Sequence, residues 1–227
     1  MTSQVQGPSH APGKHTLLEE LSVHLPYSLM AATIGTGLLL FIAWVAKLQG
    51  TSQLSEKSSE TLLFHMFHPL HLFLSAAATT AMFWRHEKRF VKALGVGFFG
   101  TVIPCGLSDY VAPFLGGRLL GVPMALHICF IEHPQLVVSA VLLGMALGFF
   151  TADRIQHSTV FSHTAHVFVS SLATTLYLVS FGMNDWGRFL VAVFSITVAG
   201  VLIPCCFSDI VFPMICIEKK LGGHGHP

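Results

Sequence analysis

Residues 100–113 read GTVIPCGLSDYVAP, and residues 200–213 read GVLIPCCFSDIVFP. Eight of these 14 positions are identical at an offset of 100. A second pair of blocks precedes them in the same order. Residues 68–80 read HPLHLFLSAAATT and residues 163–175 read HTAHVFVSSLATT, with seven of 13 positions identical at an offset of 95. Two matching blocks in one order mark an internal duplication, and that decides the architecture before any single motif is weighed. The five-residue difference in offset fits a longer loop around residues 182–188.

Each block lies in an apolar stretch. A bilayer is spanned by about 20 apolar residues without fixed charge. Six segments qualify: residues 27–46, 62–84, 93–117, 134–152, 158–184 and 189–217. A further apolar run, residues 119–131, is too short and holds Pro123, so it reads as a re-entrant or interfacial piece. The first and fourth spans align more loosely, through His24 before LPYSL and His133 before PQLVV. The expected organisation is a polar tail (1–25), a three-helix repeat (26–117), a connector (118–133), a second three-helix repeat (134–217) and a His-containing tail (218–227). Three spans is an odd number, so the second unit enters the membrane from the opposite side. The expected fold is therefore all-α: a polytopic membrane protein with six transmembrane helices in a 3+3 inverted repeat, as in many secondary transporters.

Composition agrees. Of 227 residues, 52% are hydrophobic and only 10% charged, against roughly 25% charged in an ordinary soluble domain. That leaves too little charge to cover a soluble surface. It excludes a soluble enzyme, a disordered chain and a nucleic-acid binder, which needs a basic face. No GxxxxGK[ST] phosphate-binding string is present. On one side of the spans lie Lys14, Arg85, Lys88, Arg89, Lys92, Arg154, Lys219 and Lys220; on the other lie Lys47, Lys57, Arg118 and Arg188. This bias predicts a multi-pass protein of the cell membrane with both termini cytoplasmic. The first 24 residues hold no apolar core, so no cleaved secretory signal is expected.

The duplicated residues carry chemistry. Pro104 and Pro204 lack an N–H and clash with the carbonyls of Gly100 and Gly200; Pro113 and Pro213 follow. The third and sixth helices are therefore expected to be broken. Irregular backbone at membrane depth is tolerated where protein or a wet cavity satisfies it. Asp109 and Asp209 are the only carboxylates well inside the spans, and a carboxylate there is a site hypothesis by default. Cys105 and Cys205 sit four residues earlier, on the same helix face.

The chain also holds 14 His against 12 Lys and Arg combined. His68 and His71, like His163 and His166, are three residues apart on one helix face. Such imidazoles can share a transition-metal ion. His65 lies on that face too, without a His counterpart in the second unit. With the N-terminus inside, His68, His71 and Asp109 fall toward the outer surface, with His127 and His133 near them. His163, His166 and Asp209 fall toward the inner surface, with His24. Two clusters are expected, each with imidazoles and a carboxylate, and with Cys105 or Cys205 as the candidate thiolate.

Nitrogen and carboxylate donors suit Zn, Mn, Fe, Co or Ni, and a thiolate shifts the preference toward Zn or Cu(I). The string HICFIEH (127–133) is a further candidate, as a metal-collecting vestibule, and the C-terminal GGHGHP a weaker one. Ser75, Ser170 and the Thr pairs at 79–80 and 174–175 read as small polar helix contacts. The expected function is a transporter for a divalent transition-metal ion, with the lipid bilayer and the ion as partners. The alternatives are a membrane redox or metalloenzyme subunit holding haem or non-haem metal through the same histidines, and an accessory subunit whose clusters are empty. A homo-oligomer or larger membrane complex is compatible with either.

Overall fold

The structure, a computed structural model, describes residues 17–48, 53–152, 159–183 and 186–217. Among the described residues there are helices and no strands. In chain order they form α1 (Leu17–Leu48), α2 (Gln53–His86), α3 (Phe90–Gly106), a π-turn (Leu107–Val111), α4 (Ala112–Leu119), α5 (Cys129–Glu132), α6 (Pro134–Thr151) and α7 (Thr159–Ser180). A 3-10 turn (Trp186–Phe189), α8 (Leu190–Cys206), a second π-turn (Phe207–Val211) and α9 (Phe212–Cys216) complete them. Four helical runs are long and apolar enough to cross a membrane: Ser59–His86, Phe90–Leu119, Pro134–Thr151 and Leu190–Cys216. Leu25–Leu39 and Thr164–Ser180 are shorter apolar helices.

The distribution of side chains is inverted relative to a water-soluble protein. His71, Ser75, Thr79 and Asp109 are wholly buried, while Val91, Phe150 and Leu119 are more than 80% exposed. In water, that arrangement would strand polar groups inside and apolar area outside. In hydrocarbon it is stable, provided the interior polar groups satisfy one another. The chain is a membrane-embedded helical protein.

α2 packs against α6, α7 and α3, while α1 packs against α7 and α8. The first helix of each half thus lies on the other half. α6 approaches α2 through Gly144 and Gly148. A Cβ on Gly148 would stand 2.6 Å from the Ala77 carbonyl oxygen, and one on Gly144 closer still to that of Phe73. Absent side chains here let the two backbones touch, as small residues do between membrane helices.

The duplicated prolines do not break their helices. Each run stays helical and passes through a π-turn, in which Ala112 N–H reaches back to Leu107 C=O and Phe212 N–H to Phe207 C=O. In that register the carbonyls of Ser108 and Ser208 face Pro113 and Pro213, which have no N–H to give. Threonines of the opposite half supply the missing donors: Thr174 Oγ1 to Ser108 O at 3.0 Å and Thr79 Oγ1 to Ser208 O at 3.1 Å. The Gly100 carbonyl, freed by Pro104, accepts from Ser208 Oγ at 2.6 Å. The expected break is thus replaced by hydroxyl caps from the other half. Ser208→Ala removes one such cap and is expected to cost about 1–2 kcal/mol, the upper range for hydrogen bonds between membrane helices. Unfolding of the purified protein in graded denaturing detergent measures it.

The connector from Leu120 to Ile128 is irregular, with Gly121 at φ +76° making its turn. Its backbone is tied to α7: Ala125 N–H donates to Phe181 C=O at 2.7 Å, and Tyr177 Oη donates to Ala125 C=O at 3.2 Å. That anchorage fixes the residues that follow, His127 to His133.

Candidate metal centre

α2 and α7 cross so that His71 faces His166. Each imidazole is oriented by a carboxylate from a π-turn: His71 Nδ1–H donates to Asp109 Oδ2 at 2.7 Å, and His166 Nδ1–H donates to Asp209 Oδ2. With both Nδ1 atoms committed, the Nε2 atoms turn toward each other at 2.6 Å. In neutral rings of this tautomer both are lone-pair acceptors. Two lone pairs repel at that distance; a proton shared between the rings, or a cation once they part, would relieve the repulsion.

Cysteines from α3 and α8 complete the surroundings. Cys105 Sγ is 3.6 Å and Cys205 Sγ 3.7 Å from His71 Nε2. Both are free, buried thiols, so the pair is not a disulfide. Ligand atoms of His71, His166 and Cys205 all lie within 4.8 Å of one another. For a tetrahedral ion with metal–nitrogen bonds of about 2.0–2.1 Å and metal–sulfur bonds of about 2.3 Å, the nitrogen–sulfur edge is about 3.6 Å and the nitrogen–nitrogen edge about 3.3 Å. Cys205 already stands at the required edge from His71; Cys105 stands at a similar distance from His71 but lies outside that group of three. The two imidazoles would have to part by less than 1 Å, by that same geometry.

Hydroxyls bind the carboxylates from across the interface in matched fashion. Ser170 Oγ lies 3.2 Å from Asp109 Oδ1, and Ser75 Oγ lies 3.4 Å from Asp209 Oδ1. Ser108 Oγ adds a 2.8 Å bond to Asp109 Oδ1. Because a π-turn holds each Ser-Asp pair, adjacent residues both turn inward: Ser108, Asp109 and Ser208 are wholly buried, and Asp209 nearly so. π-turns inside helices recur at functional sites for this reason. His68 donates a second imidazole bond to Asp109, at 2.7 Å.

A separate group lies on the connector side. His65 Nε2 is 3.1 Å from His127 Nε2, and the His133 ring centroid is 4.9 Å from that of His65. His127 Nδ1 pairs with Glu132 at 2.9 Å, and its ring stacks on Phe181 with centroids 4.5 Å apart. Burial pulls the His127 pKa below the ordinary imidazole range, and the Glu132 carboxylate opposes it. Cys129 Sγ stands 3.4 Å from His127 Nε2, but burial, with Asp109 and Glu132 adding to it, pushes its thiol up to about 12.

The expected residues are thus regrouped. His71, Asp109, Cys105, His166, Asp209 and Cys205, assigned to two clusters, form one network across the two halves. His133, expected beside His68 and Asp109, keeps company with His65 and His127. His163 lies on α7 and His24 on α1, but their side chains fall outside the described residues, as does the C-terminal GGHGHP. The roles of Ser75, Ser170, Thr79 and Thr174 as partners of carboxylates and orphaned carbonyls exceed the helix contacts expected of them. Their duplication in register with the histidines was the signal. No protein-family model, curated protein or solved structure matches the chain.

Proposed function

We propose that this chain is an integral membrane transporter of a divalent transition-metal ion, built as a 3+3 inverted repeat with six transmembrane helices. In this reading it lies in the cell membrane with both termini cytoplasmic. The observation that carries the proposal is the buried approach of His71 Nε2 to His166 Nε2 at 2.6 Å, with Cys105 and Cys205 beside them. Each half contributes one imidazole, one thiol and one orienting carboxylate. A site at the meeting of two inverted halves is met equally from either face when the halves exchange conformations.

The ion is zinc, manganese, iron, cobalt, nickel or copper; two imidazoles with two thiols favour the softer end, zinc or Cu(I). Protons are the natural counter-cargo. Binding requires the inner lone pairs free and the thiols deprotonated, so loading releases protons into the site. Asp109 and Asp209 stay as fixed charges that balance either occupant. Rocking of the halves would break the hydroxyl caps of one side while preserving the helices.

The haem alternative finds less support. Axial imidazoles must flank a porphyrin plane, whereas here Cys105, Cys205 and Ser170 crowd the space around the facing rings. A resident-metal enzyme using the same ligands is the stronger rival. Proteoliposomes loaded with a metal-sensitive dye test the proposal. Protein-dependent zinc, cobalt or manganese entry that rises with an opposing proton gradient is the expected result. Tight metal retention without flux would replace the transporter with the enzyme reading.

A further inference from the structure

α2 carries an imidazole at residues 65, 68 and 71, every third position. At about 1.5 Å of rise per residue, His65 stands about 9 Å along the axis from His71. It belongs to a different set of neighbours. The connector brings His127 and His133 against it, and ligand atoms of the three all lie within 4.8 Å of one another.

The outer ring nitrogens are already spoken for. His65 Nδ1–H donates to the Thr61 carbonyl at 2.7 Å, one turn back on its own helix. His127 Nδ1–H donates to Glu132 at 2.9 Å. Both tautomers are thereby set, and both Nε2 lone pairs point inward at 3.1 Å, with Cys129 Sγ 3.4 Å from that of His127. That is close to the nitrogen–nitrogen edge of about 3.3 Å around a tetrahedral ion. A backbone carbonyl and a carboxylate behind metal-binding imidazoles are the usual orienting partners. The scaffold is stiff: His127 N–H donates to Tyr177 Oη at 3.0 Å, and the ring is sandwiched by Phe181 and the edge of Phe64. His65 and His133 are partly exposed, so an ion and a water ligand can reach the group.

We infer that His65, His127 and His133 form a second metal site, a three-imidazole centre for a divalent ion of the zinc, cobalt or nickel class, with Glu132 orienting His127. An all-nitrogen set accepts these ions and rejects calcium and magnesium, which require oxygen. The site is separate from the buried pair and stands without it. Its service as a loading station, handing ions down α2 past His68 to His71, rests on the transport reading.

Cobalt titration of the full chain in detergent tests it, in a background of His224→Ala and His226→Ala so that the tail contributes nothing. Bound cobalt is counted by elemental analysis, and the visible spectrum shows which ligands hold it. The expected result is two ions per chain. His127→Ala or His133→Ala leaves one, with thiolate-to-cobalt absorption intact. His166→Ala leaves the other. Glu132→Gln, at a half-exposed position that folding tolerates, keeps both ions but weakens the outer one about 10–100-fold, as loss of an orienting partner does. A single ion lost in His166→Ala and untouched by His127→Ala overturns the inference, as does an unchanged affinity in Glu132→Gln. A single ion lost in His127→Ala and kept in His166→Ala would sink the buried site instead.

Discussion

His166→Ala is expected to bring metal flux to the level of protein-free liposomes. The substitution removes one of two facing imidazoles and leaves His71 Nε2 without its 2.6 Å partner in a fully buried position. The remaining donors, one imidazole and two thiols, no longer come equally from both halves. The partner variant His71→Ala gives the same loss and strips Asp109 of one of its two imidazole donors. Asp209→Asn should be milder, about 10–100-fold in metal affinity, because it disturbs the orientation of His166 and not the ligand itself. Flux and bound metal, measured together with the melting temperature, separate these cases. Normal flux in a folded His166→Ala protein would remove the central claim.

The second large effect is structural. Gly144→Leu together with Gly148→Leu should prevent α6 from seating on α2. The obstructing atoms include the Phe73 and Ala77 carbonyl oxygens, which belong to helix backbone and cannot swing aside. The helices must separate, and buried Val137, Val141 and Met145 lose their packing. Overpacking costs about 1–3 kcal/mol per site and more where rigid backbone blocks relaxation, so two such changes consume much of a total stability of about 5–15 kcal/mol. The expected outcome is loss of monodisperse protein on size-exclusion chromatography. Gly95→Ala is the control, since a Cβ there meets nothing within 4 Å. It should leave the elution profile unchanged.

The pattern of the chain went far toward this arrangement. The IPC–SD blocks and the HxxH pairs identify most of the buried network, because a duplicated polar residue in an apolar stretch needs a partner. What the pattern could not supply was which helices meet. His71 on α2 faces His166 on α7 at 2.6 Å, so the ligands expected in two clusters form one set where these two helices pack. The proline positions likewise announced a disturbed backbone. Whether that meant a break or a π-turn depended on threonines more than 60 residues away. His65 lacked a counterpart and stayed ambiguous until the connector, irregular and anchored on Tyr177, folded over it.

The exchanged packing of α1 and α6 bears on how the chain is made. α1 leaves the ribosome long before the helices it lies against, α7 and α8. Until then α1 has only lipid or a helper protein as company, and the polar face of α2 awaits α7. A chain arrested before residue 159 would leave α1 and the polar face of α2 without the helices that cover them.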